Sequence, residues 1–301
     1  MNRLTLRHLR YFEALARWGH FGRAADSLAI SQPALSVQMK ELEDILGAPL
    51  IERGARQISL TSLGEAFAVR SRSVLQSVDE LAELARAADG PLTGRLRLGV
   101  IPTIAPYLLP AVIQALSASH PQLELHPREA VTRKLIGDLV EGRLDTAIVA
   151  LPISEPALHE EPLFHEDFVL VRPAADAGKP VPRPEILSEM RLLLLEEGHC
   201  FRDQALAFCS RSSAMPRDLM EGSSLSTLVQ MVGAGIGVTL IPEMALPLET
   251  GNAPVCTAQL PQPRPSRSVG MVWRKTSPLS GQMRQLAGLV RQVGRRPERA
   301  A

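Results

Sequence analysis

The chemistry of this 301-residue chain turns first on three cysteines, Cys200, Cys209 and Cys256. Two of them lie in RLLLLEEGHCFRDQALAFC (191–209), where an apolar strand ends at Leu195, a turn containing Gly198 follows, and Phe201 to Phe208 have helix-forming content. That order places Cys200 near a helix N-terminus, where free N–H groups and the dipole favour a thiolate, with His199 and Arg202 as adjacent donors or charges. The setting suits a nucleophile. If 200–209 is one helix, nine residues at ~1.5 Å each separate the cysteines by roughly 13–14 Å, whereas a disulfide needs Cα atoms within about 7 Å. A bond between them would require the segment to unwind or rearrange. Two other fates stay open: a metal pair, for which this spacing with only His199 nearby lacks the four-ligand pattern, and inert burial, the usual state of a cytosolic cysteine. Cys256, in APVCTAQL, reads as a buried strand cysteine. No metal and no cofactor are expected.

The elements that must position these residues follow from composition and texture. With 45% hydrophobic, 22% charged and 4% aromatic residues, the chain is an ordinary globular one, and its length suits two domains or more at roughly 150 residues each. Lys and Arg total 33 against 32 Asp and Glu, so no global basic field draws it to nucleic acid or an acidic membrane, and any such contact must be local. Three cysteines argue against a secreted disulfide scaffold. The start, MNRLTLRHLRYF, has no apolar signal core, and no stretch of ~18 uncharged apolar residues occurs, so a cytoplasmic chain with no membrane contact is expected.

Residues 1–63 are helix-rich and 64–89 form one long helical pattern that stops at Asp89-Gly90-Pro91. Beyond it, RLRLGVI (95–101), LEL (123–125), DTAIVA (145–150), DFVLVR (167–172), RLLLL (191–195), GVTLIP (237–242) and SVGMVW (268–273) read as strands. Helical spacing in LLPAVIQALSASHP (108–121), TRKLIGDLVEGR (132–143) and SLSTLVQMVGAG (224–235) alternates with them, which predicts an α/β architecture with largely parallel sheets. The tail begins as a helix and ends in arginine-rich residues expected to lack fixed structure.

The N-terminal region carries a second constellation. Residues 20–33 read as a short helix, a turn and a new helix start, with Ser31 as N-cap and Gln32 and Pro33 in the first turn. The helix runs to Gly47, a natural terminator. At ~100° per residue, Leu35, Met39, Leu42 and Leu46 form a buried stripe with Gln38 and Ile45 at its margins. Pro33, Ser36, Val37, Lys40 and Asp44 project the other way, and Gln32 stands free. Ser31, Gln32 and Ser36 can exchange hydrogen bonds with base edges in a major groove, while Lys40, Arg53 and Arg56 can neutralise phosphates, the arginines from a Gly-containing hairpin in ERGARQISLTS (52–62). In the long helix, Val74, Val78, Leu81, Ala85 and Ala88 recur at spacings of four, three, four and three, a seam that could zip two helices together or pack against its own domain.

The run AADSLAISQPALSVQMKELEDILGAPLIER (24–53), continued by LTSLGE (60–65), resembles the winged helix–turn–helix of the LysR-type transcriptional regulators. Ile51, where that family more often has an aromatic residue, is a core departure. GHCFRDQALAFC (198–209), GVIPTIAPYLLP (99–110) and GAGIGVTLIP (233–242) are similar to a peroxide-sensing branch of the same family, along nearly the whole chain short of its tail. The resemblance implies a winged helix–turn–helix at 1–63, a dimerising linker helix at 64–90, and a two-lobed α/β regulatory domain at 91–301 like periplasmic binding proteins. Its lobes would span about 94–165 with 267–294, and about 166–266.

Cys200 then matches the peroxidatic cysteine that hydrogen peroxide oxidises, and Cys209 the resolving one. Thr103 and Thr132 match threonines of the peroxide pocket, with Gly198 and His199 beside them. By themselves these threonines read as a strand-end turn former and a helix N-cap. The implied partners are an interrupted palindrome of double-stranded DNA, RNA polymerase, a disulfide reductant such as glutaredoxin, and further copies of the chain in a homodimer or homotetramer. The implied output is activation of antioxidant genes, not catalysis. Leu219 and Glu221 stand near places where the pattern has histidine and arginine, and Cys256 has no matching role. The alternatives are a family member whose interlobe cleft binds a small organic effector while the cysteines stay passive, and a thiol peroxidase, which would have no use for the SQPALS helix.

Overall fold

The computed structural model describes residues 4–52, 58–88, 92–182, 184–187, 190–209 and 219–294. Arg53, Arg56, the Asp89-Gly90-Pro91 turn, residues 210–218 and the arginine-rich tail lie outside the described residues, as do the side chains of Ala85, Ala88, Cys209 and Leu219. The chain divides into two compact units, Met1–Ala85 and Arg86–Ala301.

In the first unit, Thr5 and His8 cap α1 (Leu6–Trp18) reciprocally, and Gly19 ends it in the left-handed region at φ 57°. His20 caps α2 (Phe21–Ser27) through Nδ1, which accepts from the Gly22 and Arg23 N–H groups. Ser31 caps α3 (Gln32–Leu46), its hydroxyl accepting from the Ala34 N–H at 3.3 Å, and Gly47 closes the helix at φ 69°. Leu35, Met39 and Leu42 are buried against Phe12, Leu15, Ala24 and Leu50, while Leu46 is half-buried at the edge of that core. Glu43 on the same helix accepts from the Leu50 and Ile51 N–H groups at 2.8 and 3.1 Å, fixing where the following segment leaves. That segment pairs back through an antiparallel Ile51–Leu60 bridge and a Glu52 N–H bond to the Ser59 carbonyl, so the two legs of the expected hairpin are present. Ile51 packs half-buried against the core.

Helix α4 (Ser62–Ala88) starts hard against this hairpin. Thr61 donates to the Pro49 carbonyl and accepts from the Gly64 N–H. A Cβ on Gly64 would stand 2.1 Å from the Leu50 carbonyl oxygen, so only glycine permits the approach.

The second unit holds one nine-stranded sheet in the order β2-β1-β3-β9-β4-β7-β5-β6, with β8 also paired to β4. Its strands are β1 (Gly94–Val100), β2 (Leu123–Glu129), β3 (Thr146–Leu151), β4 (Leu158–Pro173), β5 (Leu192–Leu195), β6 (Leu219–Gly222), β7 (Val238–Pro242), β8 (Val255–Gln259) and β9 (Ser266–Arg274). Two apolar cores form on it. One gathers β1, β3, β9, α5 (Ala105–Ser119), α6 (Thr132–Val140) and α11 (Ser280–Gly294). The other gathers the C-terminal part of β4, β5, β7, α7 (Pro184–Leu187), α8 (Cys200–Cys209) and α9 (Leu225–Gly233). The short α10 (Leu246–Glu249) lies beside the second.

The expected parallel arrangement holds only in part. β1 is parallel to β2 and β3, and β5 to β6 and β7, but β4 and β9 are antiparallel to each other and to every other strand they pair with. The chain passes between the cores along β4 and returns along β9, and a returning strand must run the other way. DFVLVR proves to be the end of a 16-residue strand beginning at Leu158. Its first half is rich in charge, which hid it, yet each charge has a partner: Glu160 accepts from the Ile153 and Ser154 N–H groups, Glu161 pairs with Arg291, and Glu166 with Arg267. β6 is four residues long and too short to show a period. Cys256 is on a strand as expected but is half-buried rather than buried, its thiol donating to the Pro173 carbonyl.

Gly64 and Gly47 give a direct test of this packing. Gly47→Ala meets open space and costs about 1 kcal/mol for its left-handed backbone. Gly64→Ala must displace backbone and is expected to cost about 3 kcal/mol or more. Urea unfolding followed by far-UV circular dichroism should rank them in that order, and equal midpoints would refute the close approach.

Candidate functional site

Gly198, at φ +96°, turns the chain from β5 into α8, whose first residue is Cys200 and last is Cys209. The helix is continuous over both cysteines, so their separation is the roughly 13–14 Å of nine helical residues. Phe201, Ala205 and Phe208 anchor α8 in the second core, whereas half-buried Cys200 packs against the first. The thiol therefore stands where the two cores meet.

Thr103, just after β1, is buried, and its surroundings supply the residue that sequence reasoning missed. Arg267 donates from Nη1 to the Thr103 hydroxyl at 2.7 Å, from Nη2 to the Thr103 carbonyl at 2.9 Å, and from Nε to Glu166 Oε1 at 2.6 Å. Its guanidinium lies 5.8 Å from the centre of the Phe201 ring, a cation–π distance. Phe201 in turn stacks on Phe168 at 4.6 Å. Because the Thr103 oxygen accepts from Arg267, its own proton is free to donate elsewhere. Glu166 and Arg267 sit directly opposite each other on β4 and β9, a pairing 101 residues apart that only the strand register reveals. Burial pushes the Glu166 carboxyl up and Arg267 opposes this.

Thr132 is the first residue of α6, and the N-cap is Val131, so the turn-capping role expected of that threonine is not the one it plays. Its hydroxyl is buried with no hydrogen-bond partner among the described residues. Gln204, one helical turn after Cys200, has a buried Oε1 in the same condition. A helix neighbour at i+4 of a reactive cysteine is a signal the sequence did offer. Thr132 and Gln204 are thus two of the buried polar side chains whose hydrogen-bonding capacity is not met among the described residues.

Both charged or polar neighbours of Cys200 have surroundings that the sequence alone does not give. Arg202 is held by its Nη1, which donates to the Leu195 carbonyl at 3.0 Å and to Glu221 at 2.5 Å. Burial holds His199 below the ordinary imidazole value despite Glu196 and Glu129, which favours its uncharged form. The two cores are also tied by Tyr107 of α5, whose phenol donates to Glu249 of α10 at 2.7 Å. Burial first and Glu249 second push that phenol far up, so it stays protonated.

In the first unit, Ser31, Gln32, Pro33, Ser36 and Lys40 are all exposed on or beside one face of α3, opposite the buried stripe. The Ser31 oxygen already accepts the capping bond, which leaves its proton to donate. On α4, Val74 and Leu81 are 46% and 65% exposed.

The family model for the LysR substrate binding domain matches residues 89–295, and that for the bacterial regulatory helix-turn-helix protein, lysR family, matches residues 6–65. The chain belongs to the LysR family. It is 41% identical over 292 residues to the DNA-binding transcriptional dual regulator OxyR of Escherichia coli (strain K12), covering 96% of this chain and 95% of that one. Full-length OxyR from Pseudomonas aeruginosa, in a cysteine-to-aspartate form, matches with a TM-score of 0.77 at 37% identity, over 97% of this chain and 96% of that one. A cysteine-to-serine OxyR of Corynebacterium glutamicum with hydrogen peroxide bound has a TM-score of 0.67 at 36% identity, over 97% and 93%. Within the LysR family the chain falls in the OxyR group, made of DNA-binding regulators rather than enzymes.

The neutral state of His199 has a measurable consequence. With its folded value below 6.5, the unfolded chain takes up a proton at higher pH than the folded one. The stability that depends on neutral His199 is complete above the unfolded value and is lost as pH falls toward the folded one. Urea midpoints between about pH 7.5 and about pH 5.5 should therefore fall more steeply in the parent chain than in His199→Asn. Parallel profiles would refute the assignment.

Proposed function

We propose that this chain is a cytoplasmic transcription activator that senses hydrogen peroxide through Cys200 and Cys209. The observation that carries the reading is one continuous helix beginning at Cys200 and ending at Cys209 in a chain of the OxyR group. The Cys200 thiolate attacks one peroxide oxygen, the O–O bond breaks, and the leaving hydroxide takes up a proton to form water, leaving a sulfenic acid. The Cys209 sulfur then attacks that sulfur, a second water leaves, and the S–S bond forms. Two thiols and one peroxide become a disulfide and two waters. A dithiol reductant such as glutaredoxin would supply the two electrons that reset it.

Thr103, Thr132, Gly198 and His199 form the peroxide pocket in this reading, with Gln204 and Arg267 added. A donor hydroxyl on the leaving oxygen lowers the barrier to O–O cleavage. The mutual pairing of Arg267, Glu166, Thr103, Tyr107 and Glu249 favours a two-oxygen ligand over a bulky organic effector, since these polar groups are already engaged with one another. Because the cysteines cannot bridge across an intact helix, oxidation must rebuild α8 and with it the second lobe.

Residues 1–63 serve as the operator-binding domain through Ser31, Gln32, Pro33, Ser36 and Lys40, with Arg53 and Arg56 on phosphates. Residues 64–90 join two chains, and 91–301 form the regulatory domain, its lobes about 94–165 with 267–294 and about 166–266. The exposed valine and leucine on α4 support a dimer, and pairing of dimers gives a tetramer. A dimer sets two recognition helices about one DNA turn (~34 Å) or more apart on an interrupted palindrome, beside RNA polymerase.

Cys200→Ser is expected to abolish the loss of free thiols after one equivalent of peroxide while leaving operator binding intact. Cys209→Ser should still form the sulfenic acid, trapped by a dimedone probe, but no stable disulfide. Thiol loss unchanged in Cys200→Ser would end the proposal in favour of a passive-cysteine regulator. A second expectation concerns the Arg202–Glu221 brace, which ties the first turn of α8 to β5 and β6. Glu221→Ala should shift the thiol–disulfide equilibrium in a glutathione buffer toward the disulfide by up to about five-fold, the ceiling for a partly exposed pair. An unchanged constant would show that the brace survives oxidation.

A further inference from the structure

Val37 is 63% exposed, among the most open of the large apolar side chains in the described residues. It lies on α3, where Leu35, Met39 and Leu42 mark the inner face. At ~100° per residue, Val37 points almost directly away from the centre of that face. Pro33 and Ala34, one turn earlier, are exposed as well, so an apolar ridge runs along the crest of the helix. Gln32, Ser36 and Lys40 border it, all exposed.

Charge decides which half of α3 can approach a duplex. Glu41 and Asp44, in the second half, are exposed carboxylates that a phosphate backbone repels. The first half carries no acid, and it holds the positive end of the helix dipole. An approach by that half brings Val37 closest to the base edges. Valine has no hydrogen bond to give there, and the apolar group that the major groove displays is the C5 methyl of thymine.

We infer that Val37 reads one thymine in each half-site through its C5 methyl, adding a specificity residue to the polar set around it. The inference rests on the operator-binding reading above. Its test selects duplexes from a library with randomised half-sites, using the full-length reduced chain and its Val37→Ser and Val37→Asn variants, which remove the apolar methyl groups, then replaces each thymine of the selected duplex by deoxyuridine. The parent chain should enrich thymine at one position per half-site and lose roughly three- to five-fold in affinity when that methyl is removed, the effect of one buried methyl group. Both variants should lose the enrichment and the uracil penalty at that position only, with unfolding midpoints unchanged. Variants that retain the same thymine with the same penalty would overturn the inference alone. Failure of the parent chain to enrich any duplex would overturn the operator reading and the inference with it.

Discussion

Helix α8 imposes the constraint on which the rest of the sensor depends, because a helix that holds Cys200 and Cys209 apart and a disulfide that joins them cannot coexist. The reduced arrangement is held by Phe201, Ala205 and Phe208 in the second core and by Arg202 on Leu195 and Glu221. Each ~1.4 kcal/mol of packing given up on oxidation changes the disulfide equilibrium about tenfold, or about 30 mV in potential. Burial of a single phenylalanine, at roughly 2 kcal/mol, is therefore enough to set the potential over tens of millivolts. The apolar residues between the cysteines are as much part of the redox chemistry as the sulfur atoms.

The position of Cys200 between two cores explains how a local event becomes a global one. Its sulfur touches the first core while the next residue is planted in the second, and Arg267 bridges Phe201, Thr103 and Glu166 at the strands that cross between them. A buried guanidinium is costly to strand without its partners, so movement of Phe201 or Thr103 must be answered by rearrangement around Arg267. The Tyr107–Glu249 bond adds a second tie between the same two halves. Packed interiors answer such changes by switching arrangement rather than by gradual strain.

Local signals made much of this legible in the sequence. Ser31 and Gly47 bounded α3 because capping chemistry is written in one or two residues, and the stripe from Leu35 to Leu42 showed its buried face. Val169 to Val171 and Ile148 to Ala150 marked strands by continuous apolar runs. What stayed hidden depends on pairing between distant segments. Glu160, Glu161 and Glu166 broke the pattern of β4 because their neutralising partners lie on the 151–154 turn, α11 and β9. Arg267 carried no local signal of its role, which the register supplies by setting it against Glu166. Arg202 looked like a neighbour of the thiol until β6 offered Glu221. Residue type announces what chemistry is possible, and only the fold decides which partner receives it.

The near-zero net charge places a further demand on the DNA-reading half. A protein with 33 basic and 32 acidic residues gains little from sequence-independent attraction to phosphate, so discrimination must come from contacts at base edges and from use of two half-sites together. Exposed Val74 and Leu81 on α4 are unfavourable in a lone chain and become favourable when a second helix covers them. In the proposed function, dimer formation and operator choice would be linked, because one reading face with a few placed cations binds weakly and two such faces held at fixed spacing multiply their selectivity. In the proposed dimer, a rearrangement that alters the spacing would change operator choice without touching a single base-reading side chain.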